Sequence, residues 1–187
     1  MTIARLYKMD ATPEPLFREA WIEADEEGNA QVVVNRGSLG HESTTESADV
    51  VAVEEAERLF AAFREQCEAD GFRELAPEEC ETLIVQYKLK TREGTERDSY
   101  FERKTREALT RYFAWRGLGE IVETERGAFR LNHVVRVPDA KRALKGALIA
   151  LREFDPTKMT LAVAPRGSER FIRRHPDKGP AFSRYGD

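Results

Sequence analysis

The 187-residue sequence has few of the features that mark membrane-bound or secreted proteins. Its longest apolar runs, such as residues 32–34 and 147–151, are far shorter than the roughly 18 residues that predict a membrane span. The N-terminus lacks the apolar segment and the small-residue cleavage site of a secretory signal. We therefore expect a cytoplasmic protein with no membrane partner.

Cysteine is also scarce, and the usual catalytic motifs are missing. Cys67 and Cys80 lie 13 positions apart, with no CxxC spacing and no neighbouring histidine, which argues against a disulfide framework and a metal site. The sequence contains no P-loop, dinucleotide fingerprint, nucleophile elbow, HExxH or EF-hand pattern. We expect two reduced, partly buried thiols, no metal, no cofactor and a non-catalytic role.

The three histidines are isolated from one another. His133 alternates with Leu131 and Val135 along one face of a predicted strand, a pattern more typical of a core histidine than of a catalytic or metal-binding one. His41 lies beside a pair of glycines and is the better candidate for a surface contact. His175 precedes a proline near the C-terminus, where the sequence indicates no partner for it.

Charge is abundant and unevenly distributed. Residues 1–81 contain 7 Lys and Arg against 20 Asp and Glu, a net charge of -13, whereas residues 82–187 contain 23 against 14, a net charge of +9. Such an asymmetry favours two domains. We expect them at residues 1–77 and 82–165, separable near the acidic segment 76–81, followed by a basic C-terminal extension at residues 166–187. That extension either packs against the rest of the protein or forms a basic tail.

The first half predicts an antiparallel meander followed by one helix. Residues 3–8 are short and mixed, and no element is assigned to them. Apolar alternation and turn residues predict the later elements: strands at 16–24, 31–35 and 43–47, an acidic turn at 25–29, a glycine corner at 37–40 and a helix at 54–69 stopped by Gly71. In the simplest interpretation the corner is a tight turn that needs a positive φ at one of its glycines.

This order resembles the WGR domain, a small module of poly(ADP-ribose) polymerases and assorted bacterial proteins. The resemblance covers about residues 14–75 and is carried by Trp21-Ile22-Glu23, Gly28-Asn29, Gly37-x-Leu39-Gly40, Glu54-Glu55-Ala56 and Gly71-Phe72. Arg36 and Ser38 stand where the family has its signature tryptophan and arginine, so the contacts of those two side chains do not carry over. The resemblance implies contact with nucleic acid or protein, and the candidate contact residues are Arg36, Gly37, Ser38, Gly40 and His41.

The second half predicts strand, helix, two strands, helix and strand. The predicted strands are a half-buried one at 83–89, then 121–124, 129–137 with Phe129 on the same face as Leu131, and 159–164. The predicted helices are 98–116 and 140–154, the second capped by Pro138-Asp139. This is the ferredoxin-like βαββαβ order, so we expect an α+β protein in which a WGR-like meander precedes a ferredoxin-like domain. The βαββαβ plan hosts many unrelated functions and decides none of them.

Basic side chains of the second half provide the electrostatic argument for a partner. The candidates are Arg103, Lys104, Arg106 and Arg111 on the long helix, together with Arg173 and Arg174 near the C-terminus. Arg166, Arg170 and Lys178 add positive charge to the same C-terminal segment. Clustered Lys and Arg are typical of nucleic-acid-binding surfaces. Three alternatives stay open: neutralisation of this surface by the acidic half, a protein–protein adaptor or immunity-type module that uses the acidic half, and an enzyme with its site between the domains. The oligomeric state is open as well.

Overall fold

The protein is a mixed α+β structure, as predicted, built from two antiparallel sheets and helices. The computed structural model describes residues 3–26, 29–50 and 52–185. The chain forms two compact units: Met1–Leu75 with Trp115–Gly117, and Ala76–Ala114 with Leu118–Asp187. Among the described residues, no helix is both long enough and apolar enough to cross a membrane.

The first unit contains a four-stranded meander and one helix. The strands are β1 (Ile3–Lys8), β2 (Leu16–Ala24), β3 (Ala30–Ser38) and β4 (Thr44–Val50), each antiparallel to the next. Helix α1 (Val53–Ala69) buries Ala56, Phe60 and Cys67, and Gly71 follows it with a φ of +83°. Of the predicted acidic turn, Glu27 and Gly28 lie outside the described residues.

Strand β1 was not predicted because six residues of mixed character, with Tyr7 buried next to Leu6, do not alternate regularly. Arg5 stands between Ala4 and Leu6, which are both buried. Its guanidinium is satisfied across the sheet by Glu19, 2.6 Å away, whose side chain is itself buried. An ion pair of this kind depends on strand pairing, which no local pattern in six residues can predict.

The second unit contains a five-stranded sheet in the order β6-β7-β5-β8-β9. Its elements are β5 (Glu81–Lys88), α2 (Glu96–Ala114), β6 (Glu120–Gly127), β7 (Arg130–Val137), α3 (Ala140–Ala150), β8 (Met159–Ala164) and β9 (Ile172–His175), with 3₁₀ turns at Pro77–Glu79 and Pro156–Lys158. The elements from β5 to β8 follow the predicted βαββαβ order. Strand β9 is an addition from the C-terminal extension.

Strand β5 is buried on both faces, so the prediction of a half-buried strand is wrong. Leu83, Val85 and Tyr87 face the core formed with α2 and α3. Ile84 and Gln86 point to the opposite face and are nevertheless buried. The Gln86 side chain donates a 3.0 Å hydrogen bond to the Ser183 carbonyl, so the C-terminal segment covers this face.

The hairpin between β6 and β7 turns two residues later than predicted. Its turn residues are Ala128 and Phe129, with φ values of 49° and 63°, and Gly127 pairs with Arg130. A two-residue turn with both φ values positive suits the twist of a hairpin. Phe129 consequently lies in the turn and is 49% exposed, instead of facing the core as predicted.

Three helical side chains assigned to buried stripes lie at the surface. Leu59 of α1 is 40% exposed and Leu148 of α3 is 36% exposed. Helix α2 ends at Ala114, before Trp115, which belongs to the first unit and is 43% exposed. Helical periodicity gave Leu59 and Leu148 the correct spacing but could not show how wide the packed stripe is, whereas Trp115 lies beyond the end of the helix.

Candidate nucleic-acid interface

Helix α2 is fixed at its first turn and along one side. The Thr95 amide donates to Asp98 Oδ2 at 2.8 Å, and the Asp98 amide donates back to Thr95 Oγ1 at 3.4 Å. This reciprocal pairing satisfies amides that a helix start leaves without partners. On the inner side Thr105, Leu109 and Phe113 are buried. The opposite side of α2 is consequently held in a fixed orientation.

The exposed surface of α2 carries four cations, two of which lie beside an exposed tyrosine. Lys104 and Arg111 follow Tyr100 at four and eleven positions, which places the three on one stripe of the helix. Arg103 lies beside this stripe, and Arg106 is exposed on the flank next to the buried side. The Arg103 guanidinium lies 5.3 Å from the centre of the Tyr100 ring, the Lys104 ammonium lies 5.9 Å from it, and the ring is 57% exposed. We call these five residues the α2 cationic face.

Three of the four cations on the α2 cationic face form no ion pair with a described residue. Lys104 pairs with Glu107 at 3.0 Å, and this hydrogen bond lowers the pKa of Glu107. Arg103, Arg106 and Arg111 form no ion pair with any residue that the structure describes. A nearby acid, Glu102, is engaged by Arg126 instead. The face therefore presents three unpaired guanidinium groups.

His133 is a core histidine, as predicted, and it ties α2 to the sheet. Its Nε2 lies 2.8 Å from Thr105 Oγ1 on α2, and its Nδ1 lies 3.2 Å from Thr124 Oγ1 on β6. Burial lowers the pKa of His133 to about 4, and the positive charge of Arg106 adds to the effect. The ring is therefore neutral at pH 7 and has a hydrogen-bond partner at each nitrogen.

The glycine corner of the first unit is a tight turn, as predicted. The His41 amide donates to the Ser38 carbonyl at 3.0 Å, and Gly40 has a φ of +90°. The Gly40 amide donates to the Arg116 carbonyl at 2.8 Å, so the chain itself uses this donor. Gly37 lies within β3, where an added Cβ would meet the Ser43 Cα at 3.3 Å.

The side chains beside the corner are partly neutralised. Arg36 forms an ion pair with Glu46, and both side chains are more than half exposed. His41 Nε2 lies 3.2 Å from Glu14 Oε2. Exposed pairs of this kind contribute little to stability, and they also leave less positive charge for a phosphate. The corner therefore has a weaker case as an anion site than the α2 cationic face.

The C-terminal extension is docked on the second unit. Strand β9 pairs with β8, and the Gln86 and Asn132 side chains donate to the Arg184 carbonyl at 3.3 Å and 2.9 Å. Arg173 and Arg174 are neighbours on β9, but Arg174 is exposed and Arg173 is half-buried. They lie on a different element from the α2 cationic face, whose helix packs against the other side of the sheet.

The contact that fixes this extension joins residues far apart in the sequence and could not be predicted from local patterns. Arg184 donates to both carboxylate oxygens of Glu125, at 2.6 Å and 2.9 Å, across 59 positions of sequence. Burial raises the pKa of Glu125, but the hydrogen bonds from Arg184 and Asn132 outweigh it, so the pKa lies below its ordinary value. The alternating acids Glu123 and Glu125 on β6 were the only sequence signal for this site.

Arg184→Ala should release the C-terminal segment from the sheet. A hydrogen bond to a charged group contributes about 1.5–3 kcal/mol, so amide exchange in residues 172–185 should accelerate about tenfold or more. Hydrogen–deuterium exchange of the full chain measures this directly, and Arg174→Ala serves as the control because its side chain is exposed. If residues 172–185 exchange at the same rate in both variants, the pairing of β9 with β8 is sufficient to hold the segment.

Searches against protein-family models, curated proteins and solved structures return no match to this chain. The similarity to the WGR domain therefore stays a prediction based on the residues around the glycine corner. The case for a functional surface depends instead on the side chains themselves. Of the predicted site residues, the structure places Arg103, Lys104, Arg106 and Arg111 on helix α2, with Arg103 and Lys104 beside the Tyr100 ring.

Proposed function

We propose that the chain is a non-catalytic binding protein that contacts the phosphate backbone of nucleic acid through the α2 cationic face. The observation that carries this proposal is a single helix that exposes one lysine, a tyrosine and three arginines without an ion pair to any described residue. Residues 82–187 also carry a net charge of +9, which supports attraction of a polyanion.

The spacing of these side chains suits a phosphate backbone. Arg103 and Arg111 are separated by about 12 Å along the helix axis, at about 1.5 Å per residue. Phosphates follow one another along a duplex strand at about 3.4 Å of axial rise, so several of them fall within this span. Guanidinium groups donate hydrogen bonds to phosphate oxygens in a planar, bidentate geometry.

Tyr100 adds a contact that phosphate binding alone does not need. An exposed aromatic ring among cations can stack on an unpaired base, and such stacking contributes about 1–3 kcal/mol per base. Phosphate contacts carry no sequence information. The proposal therefore predicts binding with little sequence preference and with higher affinity for single-stranded than for double-stranded nucleic acid.

Replacing Arg103, Lys104, Arg106 and Arg111 together with alanine should abolish most of this binding. Loss of four phosphate contacts should lower the slope of log affinity against log salt by about 3 for single strands and by nearly 4 for duplexes. Fluorescence anisotropy of labelled oligonucleotides across a salt series measures both slopes. Affinity should fall by a similar factor for oligonucleotides of different sequence.

The matched control removes the same charge from elsewhere in the second unit. Lys141, Arg152, Lys158 and Lys178 are exposed and lie outside the α2 cationic face, so their fourfold alanine variant should keep most of the slope. Equal weakening by the two variants would attribute binding to net charge rather than to this face. If the unmodified chain does not bind even at low salt, the proposal fails and the protein-adaptor alternative takes its place.

A further inference from the structure

A second candidate site lies in the second unit, under the C-terminal segment. A cavity of about 1000 Å³ is lined by Thr82 and Val134 of the sheet and by Phe171, Arg173 and Phe182 of that segment. Its volume is at the upper end of the range typical of small-molecule sites, about 300–1000 Å³. We call it the tail cavity. It is separate from the α2 cationic face, because α2 packs on the other side of the sheet.

Arg173 lines this cavity and carries a buried hydrogen-bond donor without a partner among the described residues. Its Nε is buried and has no hydrogen-bond partner, and its guanidinium forms no ion pair with the residues that the structure describes. A buried donor without a partner costs about 1–3 kcal/mol. An acceptor group held by the Arg173 guanidinium would offset part of this cost.

Gly179 has no side chain and so leaves the space that the Arg173 guanidinium occupies. A Cβ added at Gly179, where φ is +144°, would lie 2.2 Å from Arg173 Nη1. Any other residue at position 179 would therefore displace the guanidinium from its place beside the cavity. The conformation and the small size of Gly179 both serve the position of Arg173.

The other charges of the tail cavity leave Arg173 available for an anion. Arg184 is already paired with Glu125 at 2.6 Å and with Glu123 at 3.5 Å. Arg170 also lines the cavity, together with the acids Glu169 and Asp177. Within the described part of the chain, neither acid forms an ion pair with Arg170 or Arg173. Arg170 and Arg173 are therefore not neutralised by these acids, which add negative charge to another part of the lining.

Aromatic rings form the apolar part of the same cavity. The Phe171 and Phe182 rings have centroids 5.8 Å apart and are inclined at 52° to each other. Tyr185 lines the cavity as well and is 60% exposed. A flat apolar group could pack against these rings, since aromatic pairs favour tilted or offset contacts at such distances.

We propose that the tail cavity binds a small aromatic anion, with its oxyanion group on Arg173 and its ring against Phe182. Arg170 contributes a second positive charge. The ligand class is defined by the combination of a carboxylate, sulfonate or phosphate group with a planar ring. An inorganic anion would lack the apolar contact, and a neutral aromatic would leave the Arg173 donor without a partner.

A fluorescence titration of the full chain with anilinonaphthalene sulfonate tests this proposal. The dye carries both an aromatic system and an oxyanion, so it should bind and should be displaced by phenyl phosphate. Benzyl alcohol and inorganic phosphate should displace it much less. Arg173→Gln should weaken dye binding about tenfold, the loss expected for one hydrogen bond to a charged group.

Two further variants make the result specific. Arg174→Gln removes the neighbouring, exposed arginine and should leave dye affinity unchanged. Gly179→Ala should weaken binding in the same direction as Arg173→Gln, because it displaces the guanidinium. The proposal is overturned if the intact chain does not bind the dye, if Arg173→Gln and Arg174→Gln bind it equally, or if benzyl alcohol competes as well as phenyl phosphate.

Discussion

Replacing Gly119 with alanine is expected to lower the free energy of unfolding of the second unit by about 3 kcal/mol or more. A Cβ at this position would lie 2.0 Å from the Arg136 carbonyl oxygen, which is backbone and cannot rotate away. Gly119 also has a φ of +117°, a conformation that residues with a Cβ rarely adopt. Steric overlap and backbone strain therefore act together.

Gly167→Ala is the matched control for this prediction. Gly167 also has a positive φ, +67°, but no atom lies within 4 Å of an added Cβ. Its substitution should cost about 1 kcal/mol, from backbone strain alone. Urea denaturation followed by circular dichroism compares the two variants. Equal destabilisation would show that the contact with Arg136 contributes nothing.

The expected effect on function follows from the position of Gly119. The chain leaves α2 at Ala114 and begins β6 at Glu120, which pairs with Arg136. The close approach at Gly119 fixes the start of β6 against β7 at the place where the chain returns from the helix. A variant that disturbs this approach should weaken nucleic-acid binding only to the extent that it unfolds the second unit.

Local sequence patterns predicted the elements that depend on local chemistry. The bounds of β2 and β8 agree with their predicted ranges, 16–24 and 159–164, because apolar alternation and flanking turn residues define them. Asp139 was correctly predicted to cap α3, where its side chain accepts a hydrogen bond from the Arg142 amide at 2.9 Å. Each of these features needs only a few neighbouring residues.

Features that depend on distant residues could not be predicted in the same way. Strand β1 needs Glu19 to neutralise Arg5, and the C-terminal segment needs Glu125 to hold Arg184. The tail cavity combines residues from 82 to 185, so no single stretch of sequence indicates it. The α2 cationic face was found because helical periodicity places its members together within one element.

The two sides of the second sheet are therefore assigned different roles in our proposals. One side is covered by α2 and α3, and the exposed surface of α2 is the proposed contact with a phosphate backbone. The other side is covered by the C-terminal segment, which encloses the tail cavity. Variants of Arg173 should leave oligonucleotide binding unchanged, and the fourfold α2 variant should leave dye binding unchanged, so the two proposals can fail separately.

Acidification should destabilise the second unit through His133, which is the remaining prediction with a large expected effect. Its pKa is lowered from 6.5 to about 4 in the folded chain. Between these values the unfolded state binds a proton that the folded state does not, so stability falls as the pH falls. The full loss is about 3 kcal/mol, and about 2 kcal/mol of it should occur between pH 7 and pH 5.

The pH window between 7 and 5 separates this effect from the titration of carboxylates. Glu125 and Glu107, whose pKa values are lowered, lose their stabilising interactions only at more acidic pH. Tryptophan fluorescence is unsuitable as the probe because Trp21 and Trp115 both belong to the first unit. Hydrogen–deuterium exchange of the buried amides in β5 and β7 reports on the second unit directly.

His133→Gln should remove the pH dependence of that exchange between pH 7 and pH 5, after correction for intrinsic exchange rates. The variant should be less stable than the unmodified chain at pH 7, since glutamine cannot reproduce both contacts of the ring, to Thr105 and to Thr124. His41→Gln is the control, because the His41 side chain is 67% exposed and should leave the profile as it is. A profile equally steep in His133→Gln would assign the acid sensitivity to another group and would contradict a neutral, buried His133 as its source.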